Sequence, residues 1–180
     1  HMYEYINGKL ASATPANAVI DCGGVGYLLE ITLTTYTAIQ EKPEAKLWVH
    51  EIIREDAHLL YGFFSTAERD MFRLLLGVNG VGAATARMML SALSVEELAN
   101  AIAAQDVKLV QRVKGVGAKT ALRIVMELKD KVSGNGAVPA AALLASQNKE
   151  EALSALVMLG FPKLAADKVL QALPAVFCHV

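Results

Sequence analysis

The 180-residue sequence predicts a multidomain α+β protein in which a small β-barrel precedes an all-α region. Three observations carry this prediction. Residues 1–64 contain five short segments rich in β-branched and aromatic residues. Residues 65–133 show apolar positions at helical spacing, and a run of Gly, Asn and Pro interrupts that spacing afterwards. The predicted units are a barrel (1–64), a helical domain (65–133), a flexible linker (134–147) and a small helical module (148–180).

The predicted strands cover residues 3–10, 18–22, 27–34, 46–53 and 58–63. A glycine-rich turn and a Pro-Ala-Asn turn separate the first three. Five strands in about sixty residues are typical of a small closed barrel such as the OB-fold. A small sandwich would contain the same number of strands.

Three N-terminal caps begin helices in the second region: Ser65, Ser94 and Asp106. The two serines are each followed three residues later by a glutamate, which makes two capping boxes. The predicted helices cover residues 66–76, 83–93, 95–104, 107–112 and 118–132.

A short element occurs twice in the helical region, at residues 78–86 and, 35 positions later, at 113–121. Each copy places Gly-Val-Gly between two predicted helices. Such a turn leaves the first N–H groups of the following helix unpaired, where the helix dipole favours an anion. Because glycine lacks a side chain, a phosphate can approach closely. The duplication predicts a tandem helix-hairpin-helix that binds two phosphates of a nucleic-acid backbone.

Other interpretations of these turns are weaker. A lone Gly-x-Gly before a helix is more often an ordinary turn without a ligand. A Walker A loop does not fit, because Ala118 stands where a glycine should precede Lys119-Thr120. A dinucleotide-binding loop does not fit either, since no strand leads into the turns.

Charge is segregated along the chain although its net value is only −1. Residues 1–62 contain four basic and eight acidic side chains, whereas residues 108–131 contain seven basic and two acidic ones. The basic segment surrounds the second Gly-Val-Gly turn, which supports binding of an anion there.

The two cysteines, Cys22 and Cys178, are far apart and have no framework spacing, which predicts a reducing, cytoplasmic environment. Apolar runs are too short and too interrupted to span a bilayer. His1 before Met2 is interpreted as the remnant of a tag.

Three motifs together resemble the bacterial RuvA family: Arg-Glu-Asp-Ala-His-Leu-Leu-Tyr-Gly-Phe at 54–63, Asn-Gly-Val-Gly at 79–82, and Gly-Val-Gly-Ala-Lys-Thr-Ala at 115–121. The resemblance extends over essentially the whole chain. It implies a non-catalytic homotetramer, with one or two tetramers on a four-way (Holliday) DNA junction that is held open and flat. It further implies the RuvB motor ATPase and the RuvC resolvase as partners in recombination, DNA repair and the SOS response, without a cofactor.

In that family both hairpins contact phosphates without reading bases, so binding would be independent of sequence. The residues that the resemblance places at the DNA are Asn79, Gly80, Val81, Gly82, Ala83, Arg87, Lys114, Gly115, Val116, Gly117, Ala118, Lys119, Thr120, Arg123 and Arg54. The first hairpin has Ala83-Ala84 where the family often carries a lysine. The second hairpin is therefore expected to contribute more to affinity.

The acidic pair Glu55-Asp56 is, by itself, typical of a solvated turn. The resemblance implies instead an acidic pin, formed by these two residues, that repels phosphates at the centre of the junction. A metal site is not expected. Adjacent strand residues point to opposite faces, and His50 and His58 have no further ligands at a suitable spacing.

Residues 148–180 resemble the UBA-like module with which the family contacts its motor. The expected core or contact residues are Leu156, Leu159, Phe161, Val169 and Leu170. The family usually has a third helix here. Pro174 is expected to end the second helix, and few residues follow it, so a shortened module is expected.

Two other functions fit parts of the sequence. A helix-hairpin-helix nuclease or glycosylase would need a metal cluster or a catalytic Asp or Lys after a hairpin, where Thr85-Ala86 and Thr120-Ala121 stand instead. A protein-interaction adaptor built on the C-terminal helices would leave the basic segment unexplained.

Overall fold

The computed structural model describes residues 2–133, which form a closed five-stranded barrel followed by a bundle of five helices. The predicted linker (134–147) and C-terminal module (148–180) lie outside the described residues. So do the five residues expected to contact the motor: Leu156, Leu159, Phe161, Val169 and Leu170.

The barrel strands are β1 (Tyr5–Ala13), β2 (Asn17–Asp21), β3 (Gly26–Ile31), β4 (Glu44–Ile53) and β5 (His58–Phe63). They close in the order β1-β2-β3-β5-β4, and every neighbouring pair is antiparallel except β3 with β5. Inward-pointing apolar residues alternate with outward-pointing ones, which fills the interior with aliphatic side chains. The predicted five-stranded, OB-fold-like barrel is confirmed.

One helix in the barrel is absent from the sequence prediction. The pattern predicts a strand over 27–34, but β3 ends at Ile31 and α1 (Leu33–Ile39) follows. Thr32 begins this helix, because its hydroxyl oxygen accepts a hydrogen bond from the Thr35 N–H at 3.0 Å. Threonine has low helix propensity, so the run of threonines favours a strand locally. Capping and tertiary packing outweigh that preference here.

The helical domain consists of α2 (Thr66–Leu76), α3 (Ala83–Ala92), α4 (Val95–Ala103), α5 (Val107–Gln111) and α6 (Ala118–Ser133). All five predicted helices are confirmed, with ends that differ by at most one residue. The capping box at Ser94 is fully formed. The Asp106 carboxylate accepts from the Leu109 N–H at 3.0 Å, as its position predicts.

The barrel interior and the helical domain have separate hydrophobic cores, and the end of β5 belongs to the helical one. The ring centroid of Phe72 in α2 lies 4.9 Å from that of Phe63 and 5.1 Å from that of Tyr61, both in β5. Phe63 and Phe72 are fully buried. Since β5 directly follows the acidic pair, this helical core connects the barrel turn that carries this pair to the helical domain.

The capping box at Ser65 forms only half of the predicted pattern. The Ser65 hydroxyl oxygen accepts from the Glu68 N–H at 3.2 Å, but the Glu68 carboxylate turns toward the barrel. There it accepts hydrogen bonds from the hydroxyls of Thr32 and Thr35, the latter at 2.7 Å. Glu68 is only 3% exposed, so a tertiary contact replaces the local one and links α2 to α1.

Burial raises the pKa of the Glu68 carboxyl above its ordinary value of 4.5, against the hydrogen bonds from Thr32 and Thr35 and from the Phe64 N–H. The folded chain therefore binds this proton more tightly than the unfolded chain. The resulting stabilisation is complete below the ordinary pKa and is lost as pH rises through the folded-state pKa. We expect the free energy of unfolding of the unmodified chain, relative to Glu68→Gln, to fall in urea titrations as pH rises above 4.5.

Glu97→Gln provides a control of opposite sign. Hydrogen bonds from Ser94 lower the pKa of the exposed Glu97 carboxyl, so its stabilisation is present at neutral pH and is lost on acidification. The difference between the unmodified chain and Glu97→Gln should therefore rise with pH. A difference that also rose with pH for Glu68→Gln would contradict the inferred direction.

Candidate nucleic-acid interface

The first hairpin turn, residues 80–82, joins α2 to α3 above two buried valines. Val78 and Val81 are 2% and 6% exposed, and the Val81 N–H donates to the Val78 carbonyl at 3.0 Å. Gly80 between them has a φ of +91°, in the left-handed region that favours glycine. Gly82 is the N-cap of α3 and makes no side-chain hydrogen bond, so no side chain covers the first N–H groups of the helix.

The second hairpin turn, residues 115–117, repeats this geometry between α5 and α6. The Val116 N–H donates to the Val113 carbonyl at 3.1 Å, and both valines are 6% exposed. Gly115 has a φ of +88°. The two sequence copies therefore form one structural motif twice, as the repeat predicts.

Both turns leave room for a ligand at the start of the following helix. A methyl group built on Gly82 or Gly117 would meet no atom within 4 Å. The unpaired N–H groups and the helix dipole favour a negative charge at this position. Each turn can thus accept a phosphate at close approach.

Basic side chains surround both turns, although the sequence places most of them in the second copy. Lys114 and Lys119 are exposed beside the second hairpin turn. Arg123, further along α6, reaches the first hairpin turn, where its Nη1 donates to the Asn79 carbonyl at 2.9 Å. The Nε of Arg123 lies 3.9 Å from a carboxylate oxygen of Glu127. Its charge therefore lies beside the first turn, which does not depend on backbone dipoles alone.

Arg87 has partners that its sequence position does not suggest. Its Nη1 donates to the Ala16 carbonyl at 2.7 Å and forms an ion pair with Glu30 of β3. The guanidinium is thus directed toward the barrel. The phosphate contact expected for Arg87 stays a prediction.

Glu55 and Asp56, the expected acidic pin, lie in the four-residue loop (54–57) between β4 and β5. The Arg54 N–H donates to the Ala57 carbonyl at 2.7 Å, which closes the loop and leaves Glu55 and Asp56 at its tip. Arg54 and both acidic residues are exposed. Within residues 2–133 neither carboxylate forms an ion pair or a side-chain hydrogen bond. Their charge is therefore free to act on a ligand.

The two histidines near the pin contact other protein groups. The Nε2 of His58 lies 2.6 Å from a carboxylate oxygen of Glu51. The Nδ1 of His50 accepts a hydrogen bond from the Nε of Arg73 at 3.3 Å, and its ring packs against Phe72. Among residues 2–133 no group of three or more His, Cys, Asp or Glu side chains is arranged to hold a metal ion.

Comparison with known proteins adds to this geometry. The family described as RuvA N terminal domain matches residues 2–62, and the SAM-like Helix-hairpin-helix tandem matches residues 72–130. A relative from Bacteroides thetaiotaomicron is 49% identical over 181 aligned residues, which cover 96% of this chain and 90% of the relative. The chain belongs to the RuvA family.

Two further relatives of this RuvA-family chain also align with almost its whole length. One from Christiangramia forsetii is 44% identical, with 94% of this chain and 89% of the relative covered. One from Porphyromonas gingivalis is also 44% identical, with 96% and 90% covered. All three relatives are named Holliday junction branch migration complex subunit RuvA. The family resemblance drawn from the motifs is confirmed.

The two family models match separate parts of this RuvA-family chain. The first covers the barrel with Glu55 and Asp56, and the second covers both hairpin turns. Across residues 2–133 no helix combines the length and apolar character needed to cross a bilayer.

Two contacts in this RuvA-family chain have no signal in the sequence. Arg87 and Glu30 are 57 positions apart, and Arg123 and Asn79 are 44 positions apart. No motif contains either pair, and Glu30 is absent from the residues that the sequence points to. Only the packing of the helices on the barrel and on each other brings these groups together.

Proposed function

We propose that this RuvA-family chain is the non-catalytic, DNA-binding subunit of a branch migration complex and binds four-way junctions by their shape. The observation that carries the proposal is the pair of equivalent hairpin turns, each with an open helix N-terminus. The names of its relatives supply the same activity. Such turns bind phosphates and carry no sequence information, so binding is independent of sequence.

The basic segment around the second hairpin turn supports this function. Residues 108–131 contain seven basic and two acidic side chains. Lys114, Lys119 and Thr120 lie at or beside the helix N-terminus, where their side chains add donors to those of the backbone. Neutralised phosphates release counterions, so affinity falls as salt rises.

The acidic pin acts against this attraction at the centre of the junction. A carboxylate about 7 Å from a phosphate is repelled by roughly 0.6 kcal/mol in water. Each chain has two exposed carboxylates at this loop tip. They repel the phosphates of a duplex that crosses the barrel but tolerate separated strands. Attraction at the hairpins and repulsion at the pin together select an open junction.

The proposed assembly follows from the four arms of a junction. One chain offers one pair of hairpin turns, which suits one arm, so a homotetramer supplies all four. A second tetramer on the opposite face is compatible with this arrangement. We further propose RuvB as the motor partner, contacted through the C-terminal module, RuvC as the resolvase partner, and a cytoplasmic location.

The domain boundaries are proposed in the same way. The end of β5 at Phe63 and the start of α2 at Thr66 support a boundary after residue 64. A helix-hairpin-helix domain then covers 65–133, a linker 134–147 and the motor-contacting module 148–180.

A mobility-shift titration of the full chain on a four-way junction and on a linear duplex of matched sequence tests the function. We expect a clear preference for the junction and the same affinity for junctions of different sequence. The logarithm of affinity should fall with that of salt concentration by about 0.9 for each phosphate contact. Equal affinity for junction and duplex would contradict the proposal.

A further inference from the structure

Arg87 lies between the first hairpin helix and the barrel rather than on an open surface. Its side chain is 27% exposed and that of Glu30 is 30% exposed, so the ion pair is partly withdrawn from water. The Ala16 carbonyl, in the loop before β2, accepts a second hydrogen bond from the same guanidinium nitrogen. A move of Arg87 to a phosphate would leave both acceptors without this donor.

The ion pair is one link in a continuous path from the acidic pin to the first hairpin turn. β5 begins two residues after Asp56, and its Tyr61 pairs in register with Glu30 of β3. Glu30 holds Arg87, which lies five residues after Gly82 in α3. From His58 onward, every step along this path is a strand, a helix or a contact between two of them.

The other end of α3 has its own connection to the barrel region. The Leu33 N–H donates to the Ser91 hydroxyl oxygen at 3.0 Å, and the Thr34 hydroxyl donates to the Leu90 carbonyl at 2.9 Å. Because Arg87 lies nearer the hairpin turn than Leu90 and Ser91 do, α3 contacts the barrel region at two positions along its length. Loss of the Arg87 contact would leave the hairpin end of α3, which is closer to the proposed DNA site, without its connection to the barrel.

We infer that Arg87 is a positioning residue that, with Glu30, sets the distance between the acidic pin and the first hairpin turn, and that it does not serve as a phosphate ligand. This inference rests on the proposed junction-binding function. A fixed distance matters because the pin repels and the turn attracts parts of the same junction. The pair therefore contributes to the preference for a junction over a duplex.

The test uses the full chain and three variants: Glu30→Gln, Arg87→Gln and the double variant. We expect each single variant to lower the ratio of junction to duplex affinity about threefold to tenfold. The double variant should be no worse than either single one, and the salt dependence should stay unchanged. Lys119→Gln, at an expected phosphate contact, should instead reduce the salt slope by about one unit.

A phosphate contact by Arg87 predicts different results. Arg87→Gln would then lower the salt slope by about one unit, and Glu30→Gln would leave binding unchanged or tighter. A preference that survives in both single variants would also overturn the inference. If the unmodified chain itself showed no preference, the proposed function would fail, and the role of the pair with it.

Exchange of the two charges distinguishes loss of the ion pair from a general loss of structure. Glu30→Arg combined with Arg87→Glu restores the attraction, so junction preference should recover relative to either reversal alone. If Arg87 binds phosphate, Arg87→Glu would weaken binding further, with or without Glu30→Arg. Circular dichroism and melting temperature establish that each variant is folded.

Discussion

Replacement of Gly115 by alanine is expected to weaken junction binding by about tenfold or more. Gly115 has a φ of +88°, which an alanine adopts only with strain of about 1–2 kcal/mol. Relaxation of that strain turns the following N–H groups away from the phosphate. The loss of one hydrogen bond to a charged group corresponds to tenfold or more in affinity. Mobility-shift titrations measure the change.

Gly24→Ala is the matched control for this substitution. Gly24 has a φ of +96°, and neither its added methyl nor that of Gly115 would meet an atom within 4 Å. Both variants should therefore lose similar stability, but Gly24 lies in the turn between β2 and β3, away from both hairpin turns. An equal loss of affinity in the two variants, or no loss in either, would contradict a phosphate contact at the second hairpin turn.

Gly117→Ala separates close approach from backbone strain. Its φ lies outside the left-handed region and its methyl has open space, so the fold should be unaffected. A phosphate at the helix N-terminus would nevertheless meet the methyl. Weaker binding at unchanged melting temperature is the expected result.

Neutralisation of the acidic pin is expected to tighten duplex binding by up to about tenfold while junction binding changes less. Glu55→Gln with Asp56→Asn removes two exposed carboxylates per chain, each worth roughly 0.6 kcal/mol of repulsion at about 7 Å. The ratio of junction to duplex affinity should fall accordingly. Competition titrations with both DNAs in one reaction measure this ratio directly.

Glu41→Gln with Glu44→Gln controls for net charge. Both glutamates are exposed and lie just before and at the start of β4, whereas the pin follows its other end. The two double variants change the charge equally. A similar effect of both would assign the result to net charge, and an unchanged preference in the pin variant would leave Glu55 and Asp56 as an ordinary solvated turn.

Local signals predicted most of the fold. Alternating apolar residues and turn-forming glycines indicated five strands, and the caps at Ser94 and Asp106 located two helix starts. The duplicated Gly-Val-Gly indicated both hairpin turns, since a left-handed glycine before a helix N-terminus is encoded by a few adjacent residues. Misassignments arose where local preference and packing disagree. The threonines of α1 favour a strand, and Glu68 exchanges its local cap for a buried contact.

The sequence by itself determined the family, the barrel, the two hairpin turns and the presence of an acidic pair, because each depends on neighbouring residues. Only the tertiary structure decided which groups each arginine contacts. By position, Arg87 belongs to the first hairpin and Arg123 to the second. In the structure Arg87 contacts the barrel and Arg123 contacts Asn79 in the loop of the first hairpin. A long side chain contacts whatever the packing of its helix brings within reach, and sequence spacing does not encode that.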